Sequence, residues 1–130
     1  SNNKLDMFAE MRLAALIHKA VSYNPKAIEA GEALDMATRE GAKCLGYDDL
    51  GELREGWLAD IILIDRSEFN WKPDFNDVSI TVYAANSRDV DTVIINGKPV
   101  MINKELLTID TERLDFEVNR VVKELYGGLE

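Results

Sequence analysis

The sequence predicts a chain of the α+β class, with two helices first, a small antiparallel sheet in the middle and a long helix at the end. Three observations support this prediction. The first 45 residues carry apolar side chains at helical spacing, Asn96-Gly97 separates two β-branched runs, and a helical apolar stripe runs from Leu114 to Leu125. The predicted order is therefore helix, helix, strands, short helix, hairpin and helix.

A first helix is predicted from Asp6 to residue 21. The Asp6 carboxylate can accept hydrogen bonds from the free N–H groups of the first turn. Pro25 ends the helix, because a proline disfavours the helical conformation in the residue before it. The residues spaced to share one apolar face are Leu13, Leu16, Ile17 and Ala20.

A second helix is predicted at residues 30–45, with small side chains on its inner face that permit close packing. Gly41 costs a helix interior about 1 kcal/mol relative to alanine, so we expect packing to require it. Gly46 follows at the place where a left-handed C-terminal cap is favourable. The predicted inner face comprises Ala30, Ala33, Ala37, Gly41 and Cys44 or Leu45.

The apolar period then becomes typical of strands. Residues 51–53 and 59–65 flank a turn, and Ile61–Ile64 is an apolar run rich in β-branched residues. Such a run predicts a strand that is covered on both faces. After an irregular stretch, residues 77–85 are interpreted as a short helix capped by Asp77.

The best-defined local feature is a hairpin around Asn96-Gly97. This dipeptide favours a type I′ turn, in which both central residues have positive φ. The flanking runs Val90–Ile95 and Lys98–Ile102 have strand composition. The sequence therefore predicts two adjacent antiparallel strands here.

The last helix is predicted to begin at Asp110 or Thr111 and to end at Gly127-Gly128. Asp110 and Glu112 complement the positive end of the helix dipole. Its apolar stripe consists of Leu114, Val118, Val121, Val122 and Leu125.

Composition limits the classes of function. The chain has 130 residues, 24 of them acidic and 15 basic, which gives a net charge of −9 and excludes the basic surface of a nucleic-acid or anionic-membrane binder. No apolar run approaches the roughly 20 residues that a membrane-spanning helix needs. The single cysteine favours a reducing compartment, so we expect a soluble cytoplasmic protein of one domain's length.

Catalytic residue types are scarce. His18 is the only histidine, whereas a zinc site normally has three or four ligands that include several His or Cys. Cys44 could act as a nucleophile only beside a base, and we interpret it as a buried, inert small residue. The residues alone therefore predict no catalytic residue and no metal ligand in this chain.

Four segments, in order, resemble the amidohydrolases of the s-triazine hydrolase type, a branch that includes chlorohydrolases and methylthioadenosine/S-adenosylhomocysteine deaminases. Residues 1–12 are similar to the segment that follows the metal-binding aspartate of that family. Residues 32–38 resemble the next helix, residues 51–65 the return to the small β domain, and residues 89–100 the closing hairpin.

The resemblance implies a parent enzyme with a (β/α)₈ barrel and a β-sandwich built from both ends of the chain. Residues 1–48 would be the last helices of the barrel, and residues 49–130 the C-terminal half of the composite sandwich with a closing helix. Zinc or another divalent ion in the barrel would activate water against a C–N or C–Cl bond of a heterocyclic substrate.

This chain departs from the family pattern because it begins just past the metal-binding aspartate. No metal ligand of the family maps onto it, so we expect it to be inactive alone, with no cofactor of its own. Ser1, Asn2 and Asn3 would lie nearest the parent active site. The expected partners are the missing N-terminal part of the polypeptide and a second copy of the chain.

One alternative comes from a different functional class. The chain could be an autonomous, acidic α+β module that binds a protein partner through its helical faces. The reading frame upstream of Leu5 discriminates between the two. A preceding His-x-His, single histidines and an aspartate indicate the hydrolase, whereas an immediate start codon indicates the module.

Overall fold

The computed structural model describes residues 3–127 as an α+β chain. Its helices are α1 (Met7–Ser22), α2 (Ala30–Ala37), α3 (Arg39–Cys44), α4 (Asp77–Tyr83) and α5 (Thr111–Tyr126). Its strands are β1 (Ile61–Ile64), β2 (Val90–Ile95), β3 (Lys98–Ile102) and β4 (Glu105–Leu106), and short 3₁₀ turns lie at Phe69–Trp71 and Ser87–Asp89. None of the described helices is both long and apolar enough to cross a bilayer.

Helix α1 begins as the sequence predicts, since Asp6 Oδ1 accepts a hydrogen bond from the Ala9 N–H at 3.1 Å. The face that packs inside this chain is the other one, formed by Phe8, Met11 and Ala15. The predicted apolar face is exposed instead. Its large side chains, at Leu13, Leu16 and Ile17, remain accessible to solvent.

The predicted helix at residues 30–45 is wrong in one respect, because the helix breaks at Thr38 into α2 and α3. Thr38 leaves the helical region with φ −123° and ψ −97°. Its hydroxyl donates to the Leu34 carbonyl at 2.7 Å, and its N–H turns to the Asp35 carbonyl at 3.2 Å. The side chain thus takes the acceptor that a continuous helix would give to the Thr38 N–H.

The break changes which residues are buried. In α3 the buried residue is Ala42, whereas Cys44 and Leu45 are exposed, so the prediction of a buried Cys44 is wrong. Gly41 does pack closely, since a Cβ there would lie 2.8 Å from the Met36 carbonyl oxygen. Gly46 has φ +85° and ends α3 as predicted.

The four strands form one antiparallel sheet in the order β1-β2-β3-β4. Strand β1 is therefore an edge strand. Ile62 and Leu63 are 46% and 52% exposed, so the expectation that β1 is covered on both faces does not hold within this chain. An uncovered edge strand without charge or proline is a surface on which a further strand can pair.

The predicted strand at residues 51–53 is also wrong, because this segment forms bends. Gly51 has φ +94°, and a Cβ there would lie 2.7 Å from the Arg39 Cα. In the same contact, Glu52 Oε1 lies 3.6 Å from Arg39 Nε. The segment packs against the break between α2 and α3, and the positive φ of Gly51 is incompatible with a strand.

The hairpin and the short helix are confirmed. Asn96 and Gly97 have φ +49° and +72°, as a type I′ turn requires. Helix α4 is capped by Asn76, one residue before the predicted Asp77, because Asn76 Oδ1 accepts from the Ser79 N–H at 2.8 Å.

Helix α5 is confirmed with Asp110 as its cap, and Gly128 lies outside the described residues. No residue of α5 is buried. The core lies instead between α1, α2, α4 and the start of the sheet. Its buried apolar residues are Phe8, Met11, Ala15, Ala33, Trp71, Val82 and Ala85.

Candidate functional site

The residues expected nearest the parent active site lie at the start of α1. Ser1 and Asn2 lie outside the described residues, and Asn3 is exposed at a bend just before the helix. His18 and Cys44 are exposed on two different helices, α1 and α3. The candidate site described below is therefore the polar cluster around Asp6, at the start of α1 and three residues after Asn3.

Asp6 is the centre of this cluster, which we call the Asp6 cluster (Lys4, Asp6, Arg12 and Ser87). The Asp6 side chain is 8% exposed and forms an ion pair with Lys4 Nζ at 3.3 Å. Ser87 Oγ donates to Asp6 Oδ2 at 3.1 Å, across 81 residues of sequence. One carboxylate thus caps α1 and attaches it to the turn that precedes β2.

The environment of Asp6 favours its ionised form. Burial opposes ionisation, but the hydrogen bonds from the Ala9 N–H, Lys4 and Ser87 outweigh it. The pKa of the Asp6 carboxyl therefore lies below its usual value. A carboxylate that stays charged is a stable anchor for the segment that enters α1.

A second contact of the Asp6 cluster holds the same two segments together. The Arg12 Nη2 donates to the Ala85 carbonyl oxygen, two residues before Ser87. The stretch from Ala85 to Ser87 therefore contacts α1 at its cap, Asp6, and again at Arg12 in its second turn. These two contacts hold the N-terminal part of α1 against the stretch from Ala85 to Ser87.

Asp89 organises the turn that carries Ser87. Asp89 is 5% exposed, and its Oδ2 accepts three hydrogen bonds. The donors are the Trp71 Nε1 at 3.2 Å, the Asn70 Nδ2 at 3.0 Å and the Asn86 N–H at 2.9 Å. Through these three hydrogen bonds Asp89 holds the Asn70 and Trp71 side chains and the Asn86 backbone together.

Sequence reasoning missed both Asp89 and Ser87. Their partners lie far away in sequence, so no spacing rule connects Ser87 with Asp6 or Asp89 with Trp71. One local signal was present. Asn86 and Asp89 have the spacing of a capping box, in which the third residue of a turn accepts from the backbone N–H of its cap.

The donor set within residues 3–127 does not fit a catalytic metal ion. No group of three or more His, Cys, Asp or Glu side chains comes together there at ligand distances. Zinc sites use three protein ligands or more. No metal-assisted step is therefore assigned to the described residues.

An open apolar groove of about 500 Å³ lies between α2, α3 and β1. Leu45 and Leu53 are strongly exposed beside it, and Ile62 opens it to the free edge of the sheet. The large apolar residues that line it are Met7, Met36, Leu45, Leu50, Leu53 and Ile62. The groove leaves a contiguous apolar surface uncovered among the described residues.

The chain resembles several proteins of known identity. It is 52% identical over 124 residues to a 5-methylthioadenosine/S-adenosylhomocysteine deaminase of Acetivibrio thermocellus, an alignment that covers 95% of this chain and 29% of the relative. It is 44% identical over 125 residues to the enzyme of the same name from Dictyoglomus thermophilum, covering 96% of this chain and 29% of that protein. The chain thus spans less than a third of the length of these relatives.

Two solved structures share its fold. An adenosine deaminase from Xanthomonas campestris with bound zinc superposes with a TM-score of 0.88 and 38% identity, over 92% of this chain and 28% of that one. An atrazine chlorohydrolase from Arthrobacter aurescens TC1, complexed with zinc, superposes with a TM-score of 0.79 and 31% identity, over 88% and 26%. The model of the amidohydrolase family matches residues 1–100. The chain is therefore a member of the amidohydrolase family.

Proposed function

We propose that this chain is the C-terminal portion of a metal-dependent deaminase that hydrolyses a C–N bond of an adenine-type or related heterocyclic substrate. The observation that carries the proposal is the 52% identity, over 124 residues, to a methylthioadenosine/S-adenosylhomocysteine deaminase. The name of the atrazine chlorohydrolase indicates that this neighbour hydrolyses a C–Cl bond. Like hydrolysis of a C–N bond, this reaction displaces a leaving group by water. The match to the deaminases favours the C–N bond.

In the proposed parent, residues 1–48 complete a (β/α)₈ barrel and residues 49–130 complete a β-sandwich. The uncovered surfaces of the chain support this division. The Leu13, Leu16 and Ile17 face of α1 is exposed, as expected for a helix that covers a barrel wall. The free edge of β1 and the apolar groove beside it would receive strands from the N-terminal part of the polypeptide.

The metal ligands of the parent would lie upstream of Ser1, so the chain alone is expected to be inactive. The zinc in the two neighbouring structures supports a divalent ion in the parent. The residues of this chain would position the segment that leaves the active site of the parent. The Asp6 cluster holds the start of α1 against the turn at Ser87, and Asn3, on the loop that would leave the active site, lies three residues before Asp6.

The reading frame upstream of Leu5 tests this proposal. We expect a preceding His-x-His pair, further single histidines and an aspartate just before this segment. A start codon immediately upstream, with none of these residues, would overturn the proposal in favour of an autonomous binding module.

A metal analysis of the purified chain is an independent test. We expect no stoichiometric zinc after mild chelation. Zinc that is retained by the chain and lost in His18→Ala would contradict the assignment of all ligands to the upstream part.

A further inference from the structure

The turn between β2 and β3 contains the dipeptide of this chain that is most open to chemical modification. Asn96 is the one asparagine in the sequence that is followed by glycine, and both residues are exposed. Asparagine is chemically labile, because the backbone nitrogen of the next residue can attack its side-chain amide carbon. A following glycine leaves this approach open, since it has no side chain beside the attacking nitrogen.

The reaction is a deamidation, and it consumes only water. The Gly97 nitrogen forms a bond to Cγ of Asn96, and its proton passes through solvent to the side-chain nitrogen, which leaves as ammonia. Water then opens the cyclic imide at either carbonyl carbon. The products are an aspartate and an isoaspartate, in which the backbone runs through the side-chain carbon of residue 96.

Two hydrogen bonds attach this turn to the residues that precede β1. The Gly97 N–H donates to the Ala59 carbonyl oxygen at 2.9 Å, and the Asn96 N–H donates to Asp60 Oδ1 at 2.7 Å. We call Ala59 and Asp60 the hairpin clamp. While the clamp is closed, the proton that the Gly97 nitrogen must lose is held by a protein carbonyl and is not available to solvent. Attack on Asn96 therefore requires the clamp to open.

The hairpin clamp lies where local opening is favourable. Strand β1 begins directly after Asp60 and pairs on one side only among the described residues. Asp60 and Asn96 are both exposed, so their hydrogen bond is not protected by burial. Segments with exposed hydrogen bonds and few buried contacts open locally, without unfolding of the whole chain.

We propose that Asn96 is a deamidation site whose rate is set by the hairpin clamp. The modification also opposes closure of the clamp. Each product places a new carboxylate beside that of Asp60, and like charges repel. An isoaspartate also adds one atom to the backbone of a two-residue turn, whose length fixes the register of β2 and β3. This inference concerns contacts within the chain and does not rest on the proposed deaminase activity.

The turn between β3 and β4 is a matched control within the same molecule. Asn103 and Lys104 form this turn with φ +50° and +66°, and Asn103 is also exposed. The Lys104 N–H likewise donates to a backbone carbonyl, that of Asp91, at 2.8 Å. Here, however, the residue after asparagine has a side chain beside its nitrogen. Deamidation is therefore expected at Asn96 and not at Asn103.

The test follows both asparagines by peptide mass spectrometry during a long incubation at mildly alkaline pH. We expect Asn96 to be converted about tenfold faster or more in the chain unfolded by urea than in the folded chain. Asn103 should be converted far more slowly than Asn96 in the unfolded chain. Equal rates for Asn96 in the folded and unfolded chains would overturn the role of the clamp. Conversion of Asn103 as fast as that of Asn96 would overturn the assignment of the site.

Asp60→Ala tests the hairpin clamp in the folded chain. Loss of a hydrogen bond to a charged acceptor should raise the open population, and with it the rate at Asn96, about fivefold. Asp48→Ala removes another exposed carboxylate and should react at the rate of the wild type. Circular dichroism checks that both variants are folded, and the comparison of folded with unfolded wild type stands without them. The same rate in both folded variants would overturn the proposal.

The deamidated wild type tests the effect of the modification on the hairpin. Its additional negative charge separates it from the unmodified chain by ion exchange. We expect the modified chain to unfold at a lower urea concentration than the unmodified chain. Equal denaturation midpoints would overturn the inference that the modification opposes closure of the clamp.

Discussion

Replacing Asp89 with alanine removes the acceptor around which the turn before β2 is built. Three donors lose their common partner, namely the Trp71 Nε1, the Asn70 Nδ2 and the Asn86 N–H. The three donors differ in the other hydrogen-bond acceptors that they can reach. Asn70 keeps its bond to the Ala84 carbonyl and Asn86 can reach solvent, whereas the indole of Trp71 is 1% exposed.

The loss of unfolding free energy can be estimated from this difference between the donors. An unsatisfied buried donor costs about 1–3 kcal/mol, and hydrogen bonds to a charged acceptor contribute about 1.5–3 kcal/mol each. With one donor trapped and two partly compensated, we expect Asp89→Ala to lower the free energy of unfolding by about 3 kcal/mol. Asp89→Asn keeps one acceptor oxygen for these donors while an NH2 group replaces the other oxygen, so a smaller cost of about 1 kcal/mol is expected.

Urea denaturation at a fixed protein concentration measures both effects, with tryptophan fluorescence and far-UV circular dichroism as probes. Asp48→Ala, which removes an exposed carboxylate, is the matched control and should stay within about 0.5 kcal/mol of the wild type. If Asp89→Ala unfolds at the same urea concentration as Asp48→Ala, the account of the three donors is refuted.

Three further predictions concern the backbone and one carboxylate. Gly97→Val should destabilise the chain by about 1 kcal/mol or more, since a β-branched residue resists a positive φ; an unchanged denaturation midpoint would exclude the type I′ turn. Gly51→Ala should cost more than Gly97→Ala in the same assay, because its Cβ would also meet the Arg39 backbone at 2.7 Å, and equal costs would contradict that contact. Asp6, with its lowered pKa, should contribute stability that is present above about pH 3.9 and lost as the pH falls through its lower folded-state pKa. Asp6→Asn should remove this component from the pH profile of the unfolding free energy, and an unchanged profile would refute the assignment.

Local chemistry explains which elements could be predicted from the sequence. The turn at Asn96-Gly97 and the cap at Asp6 depend on residues within four positions of each other. The helix breaks at Thr38, whose hydroxyl takes the Leu34 carbonyl, and the backbone of Gly51 packs closely against the break. The helical apolar period does not reveal this break, and for that reason the burial of Cys44 was predicted wrongly.

The candidate site was less accessible to sequence reasoning than the fold. The resemblance of four segments predicts membership of the amidohydrolases, and the family match over residues 1–100 confirms it. The residues that hold the start of α1, Ser87 and Asp89, act through partners 81 and 18 positions away. Only the folded chain brings them together.

The most direct test of the central claim is a measurement of ammonia release from methylthioadenosine, S-adenosylhomocysteine and adenosine. The chain alone would be compared with the same chain preceded by its upstream coding region, each supplied with zinc. We expect deamination by the longer protein and none by the chain alone at any concentration. Ammonia release proportional to the concentration of the chain alone, or no release by the longer protein with any of the three substrates, would contradict the account.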